Sequence, residues 1–297
     1  MSGLKDSMIA QLYLLGWKIV QVLPEKSAYR LFEKLGKGFY SRNGKAVKRF
    51  RSNLQVVMPS ADSIELEKSV IKGISSYFRY WCDTFRFPGW SNEKISNTVT
   101  ASNENLLQDP ISAGTGVIVA LPHSGNWDHA GAYFCVQGIP LVSVAERLKP
   151  EKLFQKFLTY RQALGMEILP LDSNTLPTLS DRLNAGKLIA LVADRDFSKN
   201  GVEVDFFGKK AKMPIGPALL SLRTGAPLIT AQVSYNPKGI QIDFLGPLTP
   251  RIQGSLEDQA KDLVQQCADN FAIGISKKPE DWHMLQRIWI EPEVSNG

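Results

Sequence analysis

The stretch GVIVALPHSGNWDHAG, residues 116–131, decides the fold of this chain. It opens with an uninterrupted apolar run, passes through small and polar residues, and ends in what looks like the start of a helix. A short apolar run that leads directly into a helix is typical of a buried strand in an α/β protein. Gly125 permits a tight backbone at the junction, and Ser124 or Asn126 can cap the helix.

Three further apolar runs of strand length follow this stretch, and helical patterns separate them. The runs are IPLVSVAE, LIALVADRD and APLITAQVSY. The helical patterns are WDHAGAYFCVQ, KPEKLFQKFLTYRQALG, TLPTLSDRLNAG and GPALLSLRTG. Strands that alternate with helices predict an α/β fold with a central, mostly parallel sheet flanked by helices.

The length and composition fit one large domain. With 297 residues, of which 43% are hydrophobic, the chain can bury a substantial core. We predict one domain over residues 1–297, with a helical part at 1–100 and an α/β catalytic core at 101–297. The three cysteines lie far apart, which indicates core residues in a reducing compartment. The sequence shows no signal peptide and no uncharged apolar run of about 18 residues that could span a bilayer.

The positive charge is concentrated at the front of the chain. Residues 1–60 hold 11 Lys+Arg and 3 Asp+Glu, a balance of +8, whereas the remainder holds 24 and 26, a balance of −2. An anionic membrane or nucleic acid fits such a segment. The helical pattern LKDSMIAQLYLLGWKIVQVL, with Trp17 near a lysine, can either lie in a lipid headgroup layer or pack on the core. A second helix is predicted over 64–86, and most of its aromatic residues should be core.

Charged and polar residues follow three of the apolar runs. His123 follows the first run, Glu146 the second, and Asp194 with Arg195 the third. In an open α/β sheet, ligands bind beyond the carboxyl ends of the strands. We therefore expect these side chains to share one edge of the sheet.

His123 and Asp128 are candidates for proton transfer. A histidine can accept a proton from a hydroxyl at neutral pH, and it does so better when a carboxylate holds its other ring nitrogen. Asp128, about one helical turn further on, is placed to do this, and the free amides of the helix could receive an oxyanion. The alternatives are a structural His123 and a metal site with Asp128 and His129. His129 and His283 are interpreted as packing residues, and the chain has no G-x-S-x-G nucleophile elbow.

The spacing H-x4-D, from His123 to Asp128, is also a family signature. It occurs here with AERLKPEKLFQKFLTYRQALGMEILPL, ADRDFSKNGVEVDFFGKKAKMPIGPALLSLRTGAP and PEDWHMLQR. Together these segments resemble the phosphatidylinositol mannoside acyltransferases and, more distantly, the lauroyl-type acyltransferases of lipid A synthesis. The resemblance covers most of the chain from about residue 40 onward.

The resemblance implies transfer of an acyl chain from acyl-CoA, with palmitoyl-CoA as the expected donor, to a sugar hydroxyl of a mannosylated phosphatidylinositol. It implies that His123 is the general base, that Asp128 orients it, and that Asp194 is a third catalytic residue. Residues for substrate binding are also implied: Glu146, Arg161, Arg195 and Arg223. No metal or bound cofactor and no nucleic-acid partner are expected. The implied location is the cytoplasmic face of the cell membrane, reached through a membrane-associating N-terminal helical segment.

Two alternatives stay open at this stage. The same base could serve a lipid A precursor or another glycerolipid, because the groove and not the base selects the acceptor. The second alternative is a protein without enzymatic activity. It would bind membranes or nucleic acid through its basic segment, and its His–Asp pair would be structural.

Overall fold

A computed structural model describes residue 11 and residues 15–145, 151–198 and 200–290. Residues 15–22 are helical. The helices that follow are α1 (Glu25–Ser41), α2 (Lys45–Val57), α3 (Ser63–Arg86), α4 (Asn92–Asn97), α5 (Asn105–Ser112), α6 (Trp127–Val136), α7 (Glu151–Ala163), α8 (Thr175–Asn184), α9 (Gly216–Thr224) and α10 (Leu256–Lys277). The strands are β1 (Val99–Ser102), β2 (Val117–Leu121), β3 (Leu141–Ala145), β4 (Met166–Pro170), β5 (Leu188–Val192), β6 (Val202–Phe206), β7 (Lys209–Met213), β8 (Leu228–Tyr235) and β9 (Ile240–Leu248).

Seven strands form one sheet in the order β1-β9-β8-β2-β5-β3-β4. The strands from β8 to β4 in this order run parallel, while β9 is antiparallel to β8 and parallel to β1. A separate antiparallel hairpin pairs β6 with β7. The prediction of an α/β fold with a mostly parallel sheet flanked by helices is confirmed.

The four predicted apolar runs become β2, β3, β5 and β8, and the helical patterns between them become α6 to α9. All residues of β2 and β8 are buried, as expected for strands covered on both faces. Sequence patterns did not identify four other strands: β1, β4, β7 and β9. The alternating residues of β9 are buried on one face only, which is typical of a strand near a sheet edge.

Two apolar clusters cover the two faces of the sheet. One cluster lies under α3, α6 and α7, and the other lies under α8, α9 and α10. A third, smaller cluster joins α2 to α3 through Phe50, Leu54 and Ile74. The predicted helix over 64–86 is α3, and an Asp62–Glu65 capping box fixes its start.

The structure also decides where Trp17 lies. Its indole is 2% exposed, donates a hydrogen bond to the Phe85 carbonyl at 3.0 Å, and packs on Phe157 and Tyr160. Trp17 is therefore a core residue, so the suggestion that it lies in the headgroup layer is wrong. None of the helices within the described residues is both long and apolar enough to cross a membrane.

Candidate active site

The site stands at the carboxyl ends of β2 and β5. These strands are parallel neighbours, and Leu121 at the end of β2 is in register with Val192 at the end of β5. His123 and Asp194 each lie two residues beyond these positions. Parallel strands in register carry equivalent positions to the same edge, so the two side chains meet there.

Asp194 holds His123 by two hydrogen bonds. Its Oδ1 lies 2.5 Å from Nδ1 of the ring, and its Oδ2 accepts the backbone N–H of His123 at 3.0 Å. Trp282 Nε1 donates to the same Oδ2 at 2.8 Å. Asp194 is fully buried, whereas the His123 side chain is 24% exposed. Nδ1 is occupied by the carboxylate, and Nε2 is therefore the nitrogen that remains for a substrate proton.

The buried carboxylate of Asp194 stays charged. Burial raises its pKa, but attraction to His123 and the hydrogen bonds from His123 and Trp282 outweigh burial and hold the pKa below its ordinary value. A fixed anion beside Nδ1 favours the imidazolium that forms when Nε2 accepts a proton.

Asp128 has different partners from those that the sequence suggested. Its Oδ1 accepts from Arg161 Nε at 2.8 Å, and its Oδ2 accepts from the Tyr80 hydroxyl at 3.1 Å. The carboxylate that contacts the His123 ring is therefore Asp194, which corrects the expectation that Asp128 orients it. Asp128 stands in the first turn of α6, and its two oxygens are bonded to Tyr80 on α3 and Arg161 on α7.

Arg161 reaches Asp128 from α7; the Asp128 side chain is buried, whereas that of Arg161 is 21% exposed. Burial lowers the pKa of Arg161, but attraction to Asp128 outweighs burial and raises that pKa above its usual value. Its guanidinium pairs with Asp128, and substrate binding by Arg161, which the resemblance implies, stays a prediction. The pair fixes the start of α6 against α7, directly after the motif loop.

An apolar pocket begins beside this ion pair. It lies between the sheet and α6. Trp127, Asp128 and Arg161 form one part of its wall. Its apolar lining includes Leu121, Gly131, Phe134, Met166, Val233 and Phe244. The Trp127 ring also lies edge-on to the His123 ring, with centroids 5.6 Å apart, so one indole contacts both the pocket and the histidine.

The other predicted binding residues are distributed differently. Arg195 follows Asp194 at the same sheet edge, half-buried, with its guanidinium 4.9 Å from the Phe197 ring centroid. Arg223 is in the last turn of α9, which leads into the start of β8, and this places it at the opposite edge of the sheet. Glu146 lies outside the described residues.

The two remaining histidines are buried packing residues, as interpreted from sequence. His129 is 1% exposed, and its Nε2 lies 3.2 Å from both the Ile95 carbonyl and the Thr98 hydroxyl. Burial lowers the pKa of His129 to about 4 and that of His283 to about 3. Because His129 points towards Ile95 and Asp128 towards Arg161, these two side chains do not converge with His123 on a metal site.

Sequence reasoning missed two aromatic residues of the site, Tyr80 and Trp282. Tyr80 stacks on Trp127 with ring centroids 4.3 Å apart and bonds to Asp128, and burial raises its pKa. Both residues lie in segments that the sequence analysis had noted, Tyr80 in the aromatic-rich helix over 64–86 and Trp282 in PEDWHMLQR. The sequence of these segments does not indicate which side chain faces the motif.

Comparison with known proteins identifies the family. The model of the bacterial lipid A biosynthesis acyltransferase family matches residues 4–291. This chain belongs to that family. A phosphatidylinositol mannoside acyltransferase of Mycolicibacterium smegmatis is 36% identical over 284 residues, covering 94% of this chain and 90% of the relative. One from Mycobacterium tuberculosis strain H37Rv is 37% identical over 283 residues, covering 94% and 87%. The acyltransferase family expected from the sequence is thus confirmed.

Proposed function

We propose that this member of the acyltransferase family transfers a fatty acyl chain from acyl-CoA to a mannose hydroxyl of a phosphatidylinositol mannoside. One observation carries the proposal: the His123–Asp194 pair stands beside an apolar pocket, with Trp127 in contact with both. The relatives are named phosphatidylinositol mannoside acyltransferases, which supports the proposed acceptor. The apolar lining supports a fatty chain, because burial of each CH₂ group contributes about 0.8 kcal/mol.

In the proposed reaction, Nε2 of His123 takes the proton of the acceptor hydroxyl as its oxygen attacks the thioester carbonyl. The C=O π electrons move onto oxygen, and this tetrahedral intermediate then re-forms the carbonyl as the carbon–sulfur bond breaks. The thiolate leaves, and the imidazolium returns its proton to the sulfur. No covalent acyl-enzyme is needed, because a thiolate is a good leaving group once acceptor and thioester are held together.

Asp194 stabilises the imidazolium throughout this cycle and keeps Nδ1 protonated. The first-turn amides of α6 other than that of His129 follow the motif loop directly, so we assign them to the oxyanion. The Asn126 side chain accepts from the His129 amide at 3.0 Å, which fixes this end of the helix. Asp128 acts in this scheme by holding Arg161 and the start of α6.

The pocket is assigned to the acyl chain, with palmitoyl-CoA as the expected donor. Its mostly apolar lining suits a hydrocarbon chain, since small-molecule sites are lined mainly by apolar side chains. Coenzyme A carries phosphates, and Arg195 is the predicted arginine that shares the sheet edge with His123. Arg223, at the other edge, is not included in the proposed site.

The proposed location is the cytoplasmic face of the cell membrane, with the N-terminal helices against anionic lipid. Leu15, Ile19 and Val22 are 56%, 48% and 82% exposed, at helical spacing, on the segment whose Trp17 faces the core. Exposed apolar residues among lysines are typical of interfacial helices, because apolar side chains enter the acyl boundary while cations meet phosphates.

A second candidate acceptor is a lipid A precursor. The description of the family favours it, since that description names lipid A biosynthesis. The His123–Asp194 chemistry is the same for either acceptor, so only product analysis separates them.

The test is incubation of the purified protein with palmitoyl-CoA and a panel of acceptors, followed by mass spectrometry of the lipids. We expect an increase of one palmitoyl group on a phosphatidylinositol mannoside and none on a lipid A precursor. His123→Ala should lower the rate at least about 100-fold, the usual contribution of a general base. Arg223→Ala serves as the control and should retain the rate. Acylation of the lipid A precursor alone would mean that this lipid is the acceptor. A His123→Ala variant as active as wild type would refute the assignment of His123 as general base.

A further inference from the structure

The C-terminal segment around Trp282 pairs with the loop that carries the H-x4-D motif. The Gly125 amide donates to the Asp281 carbonyl at 2.9 Å, and the His283 amide donates to the His123 carbonyl at 2.7 Å. Between these two bonds, Ser124 and Trp282 form an antiparallel bridge. The sequence PEDWHMLQR, which sequence analysis marked only for its resemblance, therefore holds the backbone of the motif loop.

Trp282 also contacts the machinery with its side chain. The indole is 0% exposed, and Nε1 lies 2.8 Å from Oδ2 of Asp194. His123 takes the remaining contacts of this carboxylate, its ring nitrogen at Oδ1 and its amide at Oδ2. The indole N–H is thus a donor that His123 does not itself supply, and it fixes the rotation of the carboxylate.

The physical consequence concerns both charge and direction. A buried carboxylate that lost a donor would be easier to protonate and free to turn, because hydrogen bonds to the charged form stabilise that form. If Oδ1 turned away from Nδ1, the His123 ring would be free to rotate. The proton would also no longer be held on Nδ1, so Nε2 would not be kept free to accept the substrate proton. The effect on chemistry would therefore pass through Asp194.

We propose that Trp282 is a positioning residue that holds Asp194 against His123, and this rests on the proposed role of His123 as general base. Trp282 touches no substrate in this scheme. It sets the orientation of the carboxylate, the carboxylate sets the imidazole, and the imidazole acts on the acceptor hydroxyl.

The chain offers a matched control for this residue. Trp289 packs in the same aromatic cluster, with its ring centroid 5.8 Å from Phe206 and 6.4 Å from Trp282. Its Nε1 is buried and has no hydrogen-bond partner among the described residues. Trp289→Phe therefore removes an indole from the cluster without removing a hydrogen bond.

The kinetic test compares Trp282→Phe with Trp289→Phe. We expect Trp282→Phe to lower kcat about tenfold or more with KM for both substrates unchanged, since donors to charged groups are the stronger kind. Trp289→Phe should stay within twofold of wild type. In an Asp194→Ala background, Trp282→Phe should cause little further loss, because the two residues act as one unit. A full tenfold loss in that background, or equal rates for both tryptophan variants, would overturn the proposal.

Two further experiments test the role of Trp282 even if Trp282→Phe does not fold or if no acyl transfer is detected. Site-specific 3-benzothienylalanine at position 282 keeps the ring volume but has no N–H, and it should reproduce the loss if Trp282→Phe does not fold. The far-downfield proton NMR signal of the His123 Nδ1–H should be present in wild type and Trp289→Phe but lost with the benzothienyl residue. Its retention would refute the positioning role, whereas absence of acyl transfer by wild type would refute only the proposed function.

Discussion

Nδ1 of His123 lies 2.5 Å from Oδ1 of Asp194, although the two residues are 71 positions apart in the chain. They meet because β2 and β5 are parallel neighbours in register, and each residue stands two positions past its strand. The imidazole is thus oriented by the sheet, while Asp128, inside the same motif, ties the following helix to Arg161. The two carboxylates have separable tasks, and substitutions can tell them apart.

Replacing Asp194 by Asn should abolish most of the activity with little change in the fold. The amide keeps the size of the side chain but removes the charge that stabilises the imidazolium, and it can present N–H to Nδ1 and so favour the wrong tautomer. We expect kcat to fall at least about 100-fold, a loss of about 2.7 kcal/mol of transition-state stabilisation. Turnover of labelled palmitoyl-CoA measures it. An Asn variant within fivefold of wild type would exclude Asp194 from the reaction.

Replacing Asp128 by Asn should act mainly on stability. Removal of the carboxylate charge leaves Arg161 without its counter-charge; because the Arg161 side chain is 21% exposed, solvent screens part of the effect, and we expect a loss below the value of about 3–5 kcal/mol for a fully buried pair. Denaturant unfolding should show this loss, and any fall in kcat should come without a change in the acid limb of the pH–rate profile. The double variant Asp128→Asn with Arg161→Met removes both charges and should recover part of the stability. If Asp128→Asn shifted the acid limb and left the stability unchanged, Asp128 would instead be assigned to the orientation of His123.

Much of this arrangement could be predicted from the sequence, and the reason lies in the strands. The run VIVAL before His123 and the run LIALV before Asp194 are apolar throughout, which is the pattern of strands buried on both faces. Strand ends at one edge then place His123, Asp194 and Arg195 together without knowledge of the strand order. Arg223 was included only because of the resemblance, and the structure places it in the last turn of α9, directly before the start of β8.

Other contacts could not be read from local patterns. Asp128 lies five residues from His123, and this closeness in sequence suggested a contact, but its carboxylate bonds to Tyr80 and Arg161 instead. Tyr80 on α3 bonds to Asp128, which lies 48 residues further along the chain. Trp282 near the C-terminus bonds to Asp194, which lies 88 residues before it. Such pairs depend on tertiary packing, which periodicity and spacing do not encode. Strand β7, KKAKM, was missed because its lysines hide the apolar alternation that identifies a strand.

Enlarging Gly131 should shorten the acyl chain that the pocket accepts. A Cβ at this position would lie 2.7 Å from Met166 Cε, so a side chain there pushes Met166 and fills part of the pocket. Loss of room for about two CH₂ groups costs about 1.6 kcal/mol for a long chain. Gly131→Val should therefore lower kcat/KM for palmitoyl-CoA about tenfold relative to octanoyl-CoA. Met166→Ala added to this variant should restore the ratio, and an unchanged ratio in the single variant would place the acyl chain elsewhere.

The exposed apolar residues before α1 should contribute to membrane binding. Replacing Leu15, Ile19 and Val22 by Ser removes the apolar surface and leaves the cations and the buried Trp17 in place. Co-sedimentation with anionic phospholipid vesicles should fall at least about tenfold, which corresponds to about 1.4 kcal/mol. Ile252→Ser with Leu256→Ser, which removes comparably exposed apolar residues elsewhere, is the matched control. Equal binding by both variants would contradict an interfacial role for residues 15–22.

Stability should fall between pH 7 and pH 5, and His129 should account for part of that loss. Burial lowers the pKa of His129 to about 4 in the folded protein, against an unfolded value of about 6.5. As pH falls below about 6.5, the unfolded chain binds a proton that the folded chain does not, so acid favours unfolding. Urea unfolding at the two pH values should show a loss smaller by about 2 kcal/mol in His129→Gln than in wild type. The groups common to both proteins cancel in this difference, and an equal loss in both would mean that His129 titrates normally in the folded state.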